Sequence, residues 1–573
     1  MSQKKLKKLR KVLQSRIEKE KEQKVFEFFG FRQILKENWK FLVILLLGVV
    51  ILWFNTMGGN FVSDDYATIP QNPLIMSFKH GLNGWMGGLI NWFLAVTFGI
   101  GSSIPYHITS LLIYLAVLLV VFVLINVILE NSLIAKMSVI IFAVFPIHVE
   151  AVTWIAGRPY LLNALFVILS LIAFVLYSKT ENKKYFWWFL ILAFLTFVAE
   201  KTRSTALPLL GVLYWISFDH KLKKKLNLGK ILLLFAGLFL IVIIVLWPQM
   251  MDRIQTVNSG TNVSDSIFYD PLFQYPTAIP KYLQLIWAPT DLTLYHTMYV
   301  IPTWLNWSIL LIYLTALIWF FVKDKRIFFA LAFIFASTAP SMAPVKISWL
   351  VAERYMFLGS LGMAIVLALF LEKIYQKQKI ISLILLTILV SFYGTRVFLR
   401  NIDWQTNHNL WVNTCQVSPN SHNAWNNIGD DYDKLKQYDN AIKGFGQSTF
   451  VKQNYADAYH NQANIFYKIG RLDLASLTYE KGLSYNPYLY QSYMSLVQID
   501  LTENNIDSLT NHLNKMQQIK PNDPQVIYIS AAAYAKVGKI EEAKKLADVL
   551  YKQFPNIKEV KDLYDSLNTE HKN

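Results

Sequence analysis

Residues 41–54 read FLVILLLGVVILWF and form the first long apolar run of the chain. Shortly after it comes the segment Phe61-Val62-Ser63-Asp64-Asp65-Tyr66. Two carboxylates about one turn beyond a membrane helix are too costly to bury in lipid, so they must face water, protein or a reacting group. A structural role is also open, because Asp64 could simply cap the segment that follows.

The composition indicates a membrane protein. The 573 residues are 54% hydrophobic, 15% aromatic and only 16% charged. The net charge of +17 comes from Lys and Arg concentrated at the ends of apolar runs, which indicates membrane orientation rather than nucleic-acid binding. Cys415 is the single cysteine, which excludes an internal disulfide framework and a cysteine-based zinc site. The basic stretch Lys4 to Lys24 is too long for a cleavable signal peptide.

Apolar runs of about twenty residues, the length needed to cross a hydrocarbon core of roughly 30 Å, recur through residues 40–395. The third and the sixth run are short. The pattern predicts about eleven transmembrane helices. They lie near 40–57, 107–129, 133–148, 159–178, 184–199, 204–218, 230–247, 304–322, 327–343, 355–371 and 380–396.

The distribution of Lys and Arg predicts which connections lie on each side of the membrane. Lys4 to Lys24 places the N-terminus in the cytoplasm. With eleven spans, four of the five later cytoplasmic connections are basic. The opposite face then contains 58–106, 148–158, 200–203, 248–303, 344–354 and everything after about 396. Apolar and aromatic residues in the first of these connections favour one or two helices lying in the membrane interface.

The motifs rich in ionisable groups all fall in these outer connections. Each has a local explanation, such as a helix-end hydrogen bond for His148 or an ion pair between Glu353 and Arg354. Together they indicate a water-filled cavity with an acidic base at one end and an anion clamp at the other. Asp64 or Asp65 would be the base. The cations of the clamp would be Arg158, Lys201, Arg203, Lys346 and Arg354. Further polar groups lining the cavity would be His148, Glu150, Glu200 and Glu353.

Residues 422–557 repeat with a period of 34, since Pro487, Pro521 and Pro555 are each 34 apart. The first repeat fits the tetratricopeptide pattern, which predicts stacked helix pairs forming a curved solenoid. The predicted repeats are 422–455, 456–489, 490–523 and 524–557. Amide and aromatic side chains of the concave face are candidates for holding an extended polypeptide, unless they are solvated or part of the core. They include Asn427, Tyr459, Asn461 and Asn464.

Five short motifs are distributed along the chain. They are DDYA at 64–67, FPIHVEAV at 145–152 with WIAGR at 154–158, EKT at 200–202, AERY at 352–355 with SLG at 360–362, and DWQTN at 403–407. These stretches resemble the transmembrane and tetratricopeptide-repeat O-mannosyltransferases, within the GT-C superfamily of glycosyltransferases that use polyprenyl-phosphate sugars. The resemblance covers nearly the whole chain, in the order found in the family, and the block at residues 145–158 is its most specific part.

The resemblance implies a role for several residues. Asp64 is the expected catalytic base, with Asp65 as the less favoured choice. Arg158, Lys201 and Arg354 are expected near the donor phosphate; Arg203 is a weaker candidate for the same role, because no fixed family pattern covers its position. One direct displacement would invert the anomeric centre. No cofactor is required by this scheme; a divalent metal at Asp64 with His148 or Glu150 is possible but not favoured.

The predicted fold class is all-α, with a polytopic GT-C-type membrane domain followed by a repeat solenoid. The predicted parts are a basic cytoplasmic segment at 1–39, the membrane domain at 40–396, a connector at 397–421, the repeats at 422–557 and a cap or tail at 558–573.

The expected function is transfer of a sugar, with mannose favoured, from a polyprenyl-phosphate donor to Ser or Thr hydroxyls of proteins outside the cytoplasm. The repeats would recruit the acceptor protein; lipid is the other expected partner, and nucleic acid is not. Two alternatives remain: a lipid or glycan acceptor, and a scaffold or transporter without catalysis. The expected location is a bacterial cytoplasmic membrane, with the endoplasmic reticulum as the alternative.

Overall fold

The computed structural model describes residues 31–218, 237, 271–297, 301–342 and 349–569. Every regular element in these ranges is a helix, and the chain divides into two compact units, 1–417 and 418–573. The all-α class and the combination of apolar helices with a repeat solenoid are therefore confirmed.

Ten of the eleven apolar runs overlap helices, and the run at 230–247 lies outside the described residues. The main helices of the first unit are Trp39–Leu52, Phe78–Asn83, Trp85–Phe98, Ile104–Leu129, Ser132–Ala143, Arg158–Thr180, Lys183–Ala199, Ala206–Phe218, Pro271–Trp287, Thr303–Lys323, Lys325–Thr338, Ser360–Tyr375, Lys379–Asp403 and Asn407–Val417.

Five helical segments within the described ranges are long and apolar enough to cross a membrane, and a sixth is formed if a bent pair counts as one span. The bend of 59° separates Ser132–Ala143 from Pro146–Val152, where Pro146 interrupts the helical hydrogen bonding. Several other apolar helices are shorter than 18 residues, so the number eleven stays a prediction.

The central helices of the first unit differ from the peripheral ones in burial. In Ile104–Leu129 and the span Ile155–Thr180, 72% and 78% of the apolar window is buried, against 17% in Thr303–Lys323. The peripheral helices instead expose large apolar side chains such as Ile318 and Ile380. A contiguous exposed apolar surface of this kind is typical of contact with lipid.

Two short apolar helices occupy the first long connection, Phe78–Asn83 and Trp85–Phe98. They pack closely because Gly81, Gly84 and Gly88 lie where they cross. A Cβ at Gly84 would lie 2.8 Å from the Cα of Gly88. The glycines therefore permit close contact between two helices, each too short to span the membrane.

The second unit consists of four helix pairs and a last helix. Each predicted repeat begins where the first helix of a pair begins. The pairs are His422–Lys434 with Tyr438–Val451, Ala456–Lys468 with Leu472–Tyr485, Tyr490–Glu503 with Ile506–Ile519, and Pro524–Lys536 with Ile540–Gln553, followed by Lys558–Thr569.

The repeated small residues explain the close packing within the pairs. Ala441, Ala475 and Ala543 are fully buried, and Leu509 occupies the equivalent position of the third repeat. A side chain longer than alanine would separate the paired helices at the other three positions. The prolines of the 34-residue period follow the second helix of each of the last three pairs, where they cannot continue it.

Cys415, the single cysteine, lies on Asn407–Val417 and is buried. Burial raises the pKa of its thiol to about 12. The thiolate, which is the reactive form, is therefore scarce at neutral pH.

Candidate active site

The two acids of the first connection point in different directions. Asp64 is exposed, and its side chain makes no capping hydrogen bond to the four-residue helix Asp65–Thr68. Asp65 is completely buried. The capping role that the sequence left open for Asp64 is thus not the one it has, and its carboxylate faces solvent.

Asp65 fixes the backbone of this loop. One carboxylate oxygen accepts the N–H of Val62 at 3.1 Å, and the other accepts the N–H of Ala156 at 2.8 Å. Burial raises the pKa of Asp65 to about 7, against the lowering effects of these two hydrogen bonds and of the charge of Arg158. Asp65 therefore ties the acidic loop to the most specific motif of the sequence.

Arg158, the last residue of that motif, is buried and directed into the protein. Its guanidinium donates to the side-chain oxygen of Asn91 at 2.8 Å, to the carbonyl of Tyr106 at 2.9 Å and to the hydroxyl of Ser110 at 3.2 Å. These acceptors come from two other helices. Arg158, predicted to bind the donor phosphate, thus cross-links the elements that support the acidic loop, and three of its N–H donors are used by protein acceptors.

Glu150 and Arg354 form a buried ion pair between two motifs that are 204 residues apart. One oxygen of Glu150 accepts from the guanidinium of Arg354, and the other accepts the backbone N–H of Arg354 at 2.8 Å. Gly157 lies against this pair, since a Cβ there would approach the carbonyl oxygen of Glu150 to 2.6 Å. The glycine of the motif is therefore required by the close approach of two backbone segments.

A group of four residues, here called the cation–tyrosine cluster, consists of Tyr160, Arg203, Arg354 and Tyr355. The guanidinium carbons of Arg203 and Arg354 lie 4.0 and 4.9 Å from the centre of the Tyr355 ring. The two guanidinium groups are therefore within about 9 Å of each other, the largest separation those distances allow. The centre of the Tyr160 ring lies 5.3 Å from the guanidinium carbon of Arg203, and this ring completes the cluster.

The two arginines of this cluster differ in the charge that surrounds them. Arg354 is neutralised by Glu150, whereas Arg203 is half-buried, stacks on Tyr355 and donates to the hydroxyl of Ser341. Arg203, which the family pattern did not single out, is thus better placed than Arg158 to offer positive charge to a ligand.

Lys201 and Glu200 lie in the tight turn just before Arg203. The ammonium of Lys201 lies 4.0 Å from the centre of the Trp85 ring, and Glu200 accepts the backbone N–H of Thr202 at 3.0 Å. Both side chains are half-buried. Lys201 therefore offers a second accessible cation on the same turn as Arg203.

His148 lies in the interior of the first unit. Its ring nitrogens are 3.0 Å from the hydroxyl of Tyr114 and 2.7 Å from that of Ser360, and the residue is completely buried. These hydrogen bonds join the motif at 145–158 to the SLG motif at 360–362. Lys346, the remaining predicted cation, lies outside the described residues.

Glu353 belongs to a second buried network. Its Oε1 accepts the backbone N–H of Thr293 at 2.5 Å and the guanidinium of Arg400 at 3.1 Å, and burial raises its pKa to about 7 although Arg400 lowers it. Arg400 also pairs with Asp403 at 3.0 Å. Because Glu353 precedes Arg354 in the chain, this network fixes the backbone from which Arg354 extends.

The segment at 403–407 lies directly against the acidic loop. The carbonyl of Gln405 accepts the N–H of Asn60, and the side-chain oxygen of Asn407 accepts the N–H of Ser63, both at 2.8 Å. Trp404 is completely buried, with its ring 5.8 Å from that of Trp154. Sequence reasoning quoted this segment as a motif but assigned it no role.

The predicted acceptor-binding residues of the repeat unit are half-buried. Asn461 donates to Asn426 at 3.0 Å, Asn464 accepts from the hydroxyl of Tyr479 at 2.5 Å, and Tyr459 stacks on Tyr485. Asn427 directly follows Asn426 in the chain. The amides thus link neighbouring helices of the array and still present polar edges to solvent.

Within the parts of the chain that the structure describes, no group of three or more His, Cys, Asp or Glu side chains is arranged to hold a metal ion. The metal expectation rests on Asp64 with His148 or Glu150. In the structure Asp64 is exposed, whereas the other two are completely buried and bonded to protein partners.

The repeat unit and the apolar helices define the class of protein: a membrane protein that carries a tetratricopeptide array. A family model described as "Tetratricopeptide repeat" matches residues 456–488. One similar solved structure is titled "Crystal structure of YrrB: a TPR protein with an unusual peptide-binding site"; it is 14% identical, covers 34% of this chain and 96% of its own, and gives a TM-score of 0.24.

Curated relatives extend the likeness to both units. The protein O-mannosyl-transferase TMTC3 of Homo sapiens is 24% identical over 89% of this chain and 60% of its own length. The protein O-mannosyl-transferase F38B6.6 of Caenorhabditis elegans is 24% identical over 70% of this chain and 62% of its own. The chain is thus similar to the transmembrane and tetratricopeptide-repeat family, as its motifs predicted, and it spans about 60% of the length of these relatives.

Proposed function

We propose that this protein transfers mannose from a polyprenyl-phosphate donor to Ser or Thr hydroxyls of proteins outside the cytoplasm, with inversion at the anomeric carbon. The names of its relatives support O-mannosyl transfer. The observation that carries the proposal is the exposed carboxylate of Asp64 on a loop that Asp65 ties to the backbone of Ala156. Ala156 is six residues from Glu150, which binds Arg354.

The acidic loop and the cation–tyrosine cluster share one short support. Asp65 binds the backbone of Ala156, while the guanidinium of Arg354 lies 5.3 Å from the ring of Trp154. Asp65 and Arg354 are therefore attached to the same short segment, residues 154–156. A general base and an anion site must lie within the length of one donor headgroup for a single displacement to occur.

In the proposed reaction, Asp64 accepts the proton of the acceptor hydroxyl as its oxygen attacks the anomeric carbon. The bond from that carbon to the phosphate oxygen breaks, and the polyprenyl phosphate leaves with the electron pair. Arg203 and Lys201 balance the charge that develops on the leaving phosphate, and Arg354 donates hydrogen bonds. The proton on Asp64 is then released to water.

The repeat unit would recruit the acceptor. Half-buried Asn and Tyr side chains on the first helices of the repeats, including Asn427 and Tyr459, offer donors and acceptors to an extended peptide. An outward location of the candidate site and of the repeat unit follows from the predicted eleven spans. A bacterial cytoplasmic membrane is the proposed site, with the endoplasmic reticulum as the alternative.

The test is turnover of a short-chain polyprenyl-phosphate mannose by the purified protein in lipid nanodiscs, with a Ser/Thr-rich peptide as acceptor. Asp64→Asn should abolish transfer, because an amide cannot take the hydroxyl proton. Asp439→Asn is the matched control, since Asp439 is an exposed acid of the repeat unit. Undiminished transfer by Asp64→Asn would refute the assignment of the base. Mannose found on lipid or glycan instead of peptide would refute the protein acceptor.

A further inference from the structure

The backbone of the acidic loop is strained at the residue before the candidate base. Ser63 has φ of +52°, a left-handed conformation that residues other than glycine rarely adopt. Such conformations persist only where the surroundings impose them, and they are concentrated at functional sites. This conformation turns the chain so that Asp65 enters the interior and Asp64 stays outside.

One side chain outside the loop holds Ser63 in this conformation. The amide oxygen of Asn407 accepts the N–H of Ser63 at 2.8 Å, from a position 344 residues away in the chain. The nearby bond from Asn60 to Gln405 joins backbone to backbone and would form with other residues at those positions. At Asn407, by contrast, the contact requires an acceptor atom on the side chain.

Asn407 is itself held rigidly. It begins the helix Asn407–Val417, and the preceding turn is closed by the N–H of Asn409 donating to the hydroxyl of Thr406 at 3.1 Å. On one side Trp404 is completely buried, and on the other Leu410 is buried as well. A hydrogen-bond acceptor on a support of this kind can define the geometry of a loop.

We propose that Asn407 is a positioning residue for Asp64: its amide oxygen fixes the left-handed backbone at Ser63 and so directs the Asp64 carboxylate out of the loop. The catalytic part of this inference rests on the proposed function. The structural part, a tie between the 403–407 motif and the acidic loop, does not. It gives the DWQTN motif a role in the chemistry of a site that lies 344 residues away in the chain.

The test compares three substitutions. Asn407→Leu keeps the approximate volume and removes the acceptor, and Asn407→Asp keeps an acceptor oxygen. Asn409→Leu is the matched control, because the amide of Asn409 donates to the carbonyl of Ile402 instead. If Asn407→Leu yields no monodisperse protein, Asn407→Ala replaces it.

The first readout is hydrogen–deuterium exchange of a peptide covering residues 60–68, which needs no substrate. Asn407→Leu should speed exchange of the Ser63 amide by at least about tenfold, since an amide that loses its acceptor exchanges more readily. Asn407→Asp and Asn409→Leu should retain the wild-type rate. Wild-type exchange in Asn407→Leu would overturn the inference, whether or not the protein transfers mannose.

The second readout separates kcat from KM with the same mannose donor and peptide. Asn407→Leu should lower kcat by about tenfold or more and leave KM for the donor within about twofold, because the donor cations are untouched. Asn407→Asp should restore most of kcat. Full turnover by Asn407→Leu, with Asp64→Asn inactive, would overturn the positioning role alone. Equal transfer by the wild type and Asp64→Asn would instead reject Asp64 as the base, and no transfer by the wild type would reject the proposed function.

Discussion

The two units of this protein use charged residues in opposite ways. In the membrane unit, Glu150, Glu353 and Arg400 are almost inaccessible and pair with residues far along the chain. In the repeat unit, pairs such as Lys434 with Asp430 are exposed and local. Buried charges in the first unit join segments that are far apart in the chain, whereas the exposed pairs in the second lie on the solvated faces of the helices. Similar charged residues therefore contribute differently to stability according to their burial.

The largest effect is expected from breaking one buried ion pair, that of Glu150 with Arg354. Arg354→Leu leaves the carboxylate of Glu150 buried without its partner, which should destabilise the membrane unit by about 3–5 kcal/mol. The measurement is thermal unfolding in lipid nanodiscs.

Two variants control this prediction. Replacing both residues, in Glu150→Leu with Arg354→Leu, should recover much of the stability because no buried charge remains. Arg471→Leu, which removes an exposed pair with Asp473 in the repeats, should leave the unfolding temperature unchanged. A loss in the double variant as large as in the single one would contradict the role of the unpaired charge.

A second test concerns close helix packing in the membrane unit. A Cβ at Gly362 would overlap the carbonyl oxygen of Ala330, so Gly362→Ala should cost about 1–3 kcal/mol, measured in the same way. Gly48 is the control because no atom lies within 4 Å of a Cβ built there. Equal effects of the two alanine substitutions would mean that the helices of the first unit are not tightly packed at Gly362.

Within the described part of the repeat unit, His512 is an exception to the rule of exposed charges. Its ring nitrogens lie 2.7 Å from Asp500 and 2.8 Å from Glu480, and its ring is 6.0 Å from that of Tyr493. Burial opposes protonation, but the hydrogen bonds to Glu480 and Asp500 outweigh it and raise the pKa of His512.

Because the folded-state pKa of His512 is raised, its stabilisation is fully present below about pH 6.5, the ordinary pKa of histidine, and is lost as the pH rises through the folded value. Burial also raises the pKa of Asp500, which acts in the same direction. Protection of residues 506–519 from hydrogen exchange, corrected for intrinsic rates, should fall between pH 6 and pH 8. His512→Gln should remove most of this pH dependence. An unchanged pH dependence of protection in that variant would contradict the role of His512.

The smallest effect is expected at the surface of the repeats. Lys434→Ala removes an exposed i, i+4 pair with Asp430 and should change the stability of the unit by no more than about 0.5 kcal/mol. Any remaining effect should vanish in high salt, because exposed charges are screened. A loss comparable to that of Arg354→Leu would remove the contrast between the two units.

The repeat unit was predictable from sequence in more detail than the membrane unit. A period of 34 with alanine at Ala441, Ala475 and Ala543 reports local packing, so the start of each helix pair follows from the pattern. Apolar runs likewise placed most membrane helices, because hydropathy depends only on local composition. Apart from residue 237, the seventh run lies outside the described residues, and the number eleven stays a prediction.

The site was only partly predictable, because its geometry depends on partners far apart in the chain. Sequence motifs identified Asp64, Glu150 and Arg354 as candidate site residues. No local signal shows that Glu150 neutralises Arg354, or that Arg158 donates hydrogen bonds to acceptors within the protein. The opposite fates of Asp64 and Asp65 depend on one left-handed residue, Ser63, whose conformation is imposed by Asn407. Arg203 was underrated for the same reason, since its stacking on Tyr355 is a tertiary contact.

Because the sulfur of Cys415 is buried, we expect the unmodified chain to react little with thiol reagents. A cysteine introduced on the acidic loop, or at the exposed position of Tyr488 in the repeats, would be the only group to react with a maleimide. Reagents that do not cross lipid could then map the sidedness of each unit in intact cells.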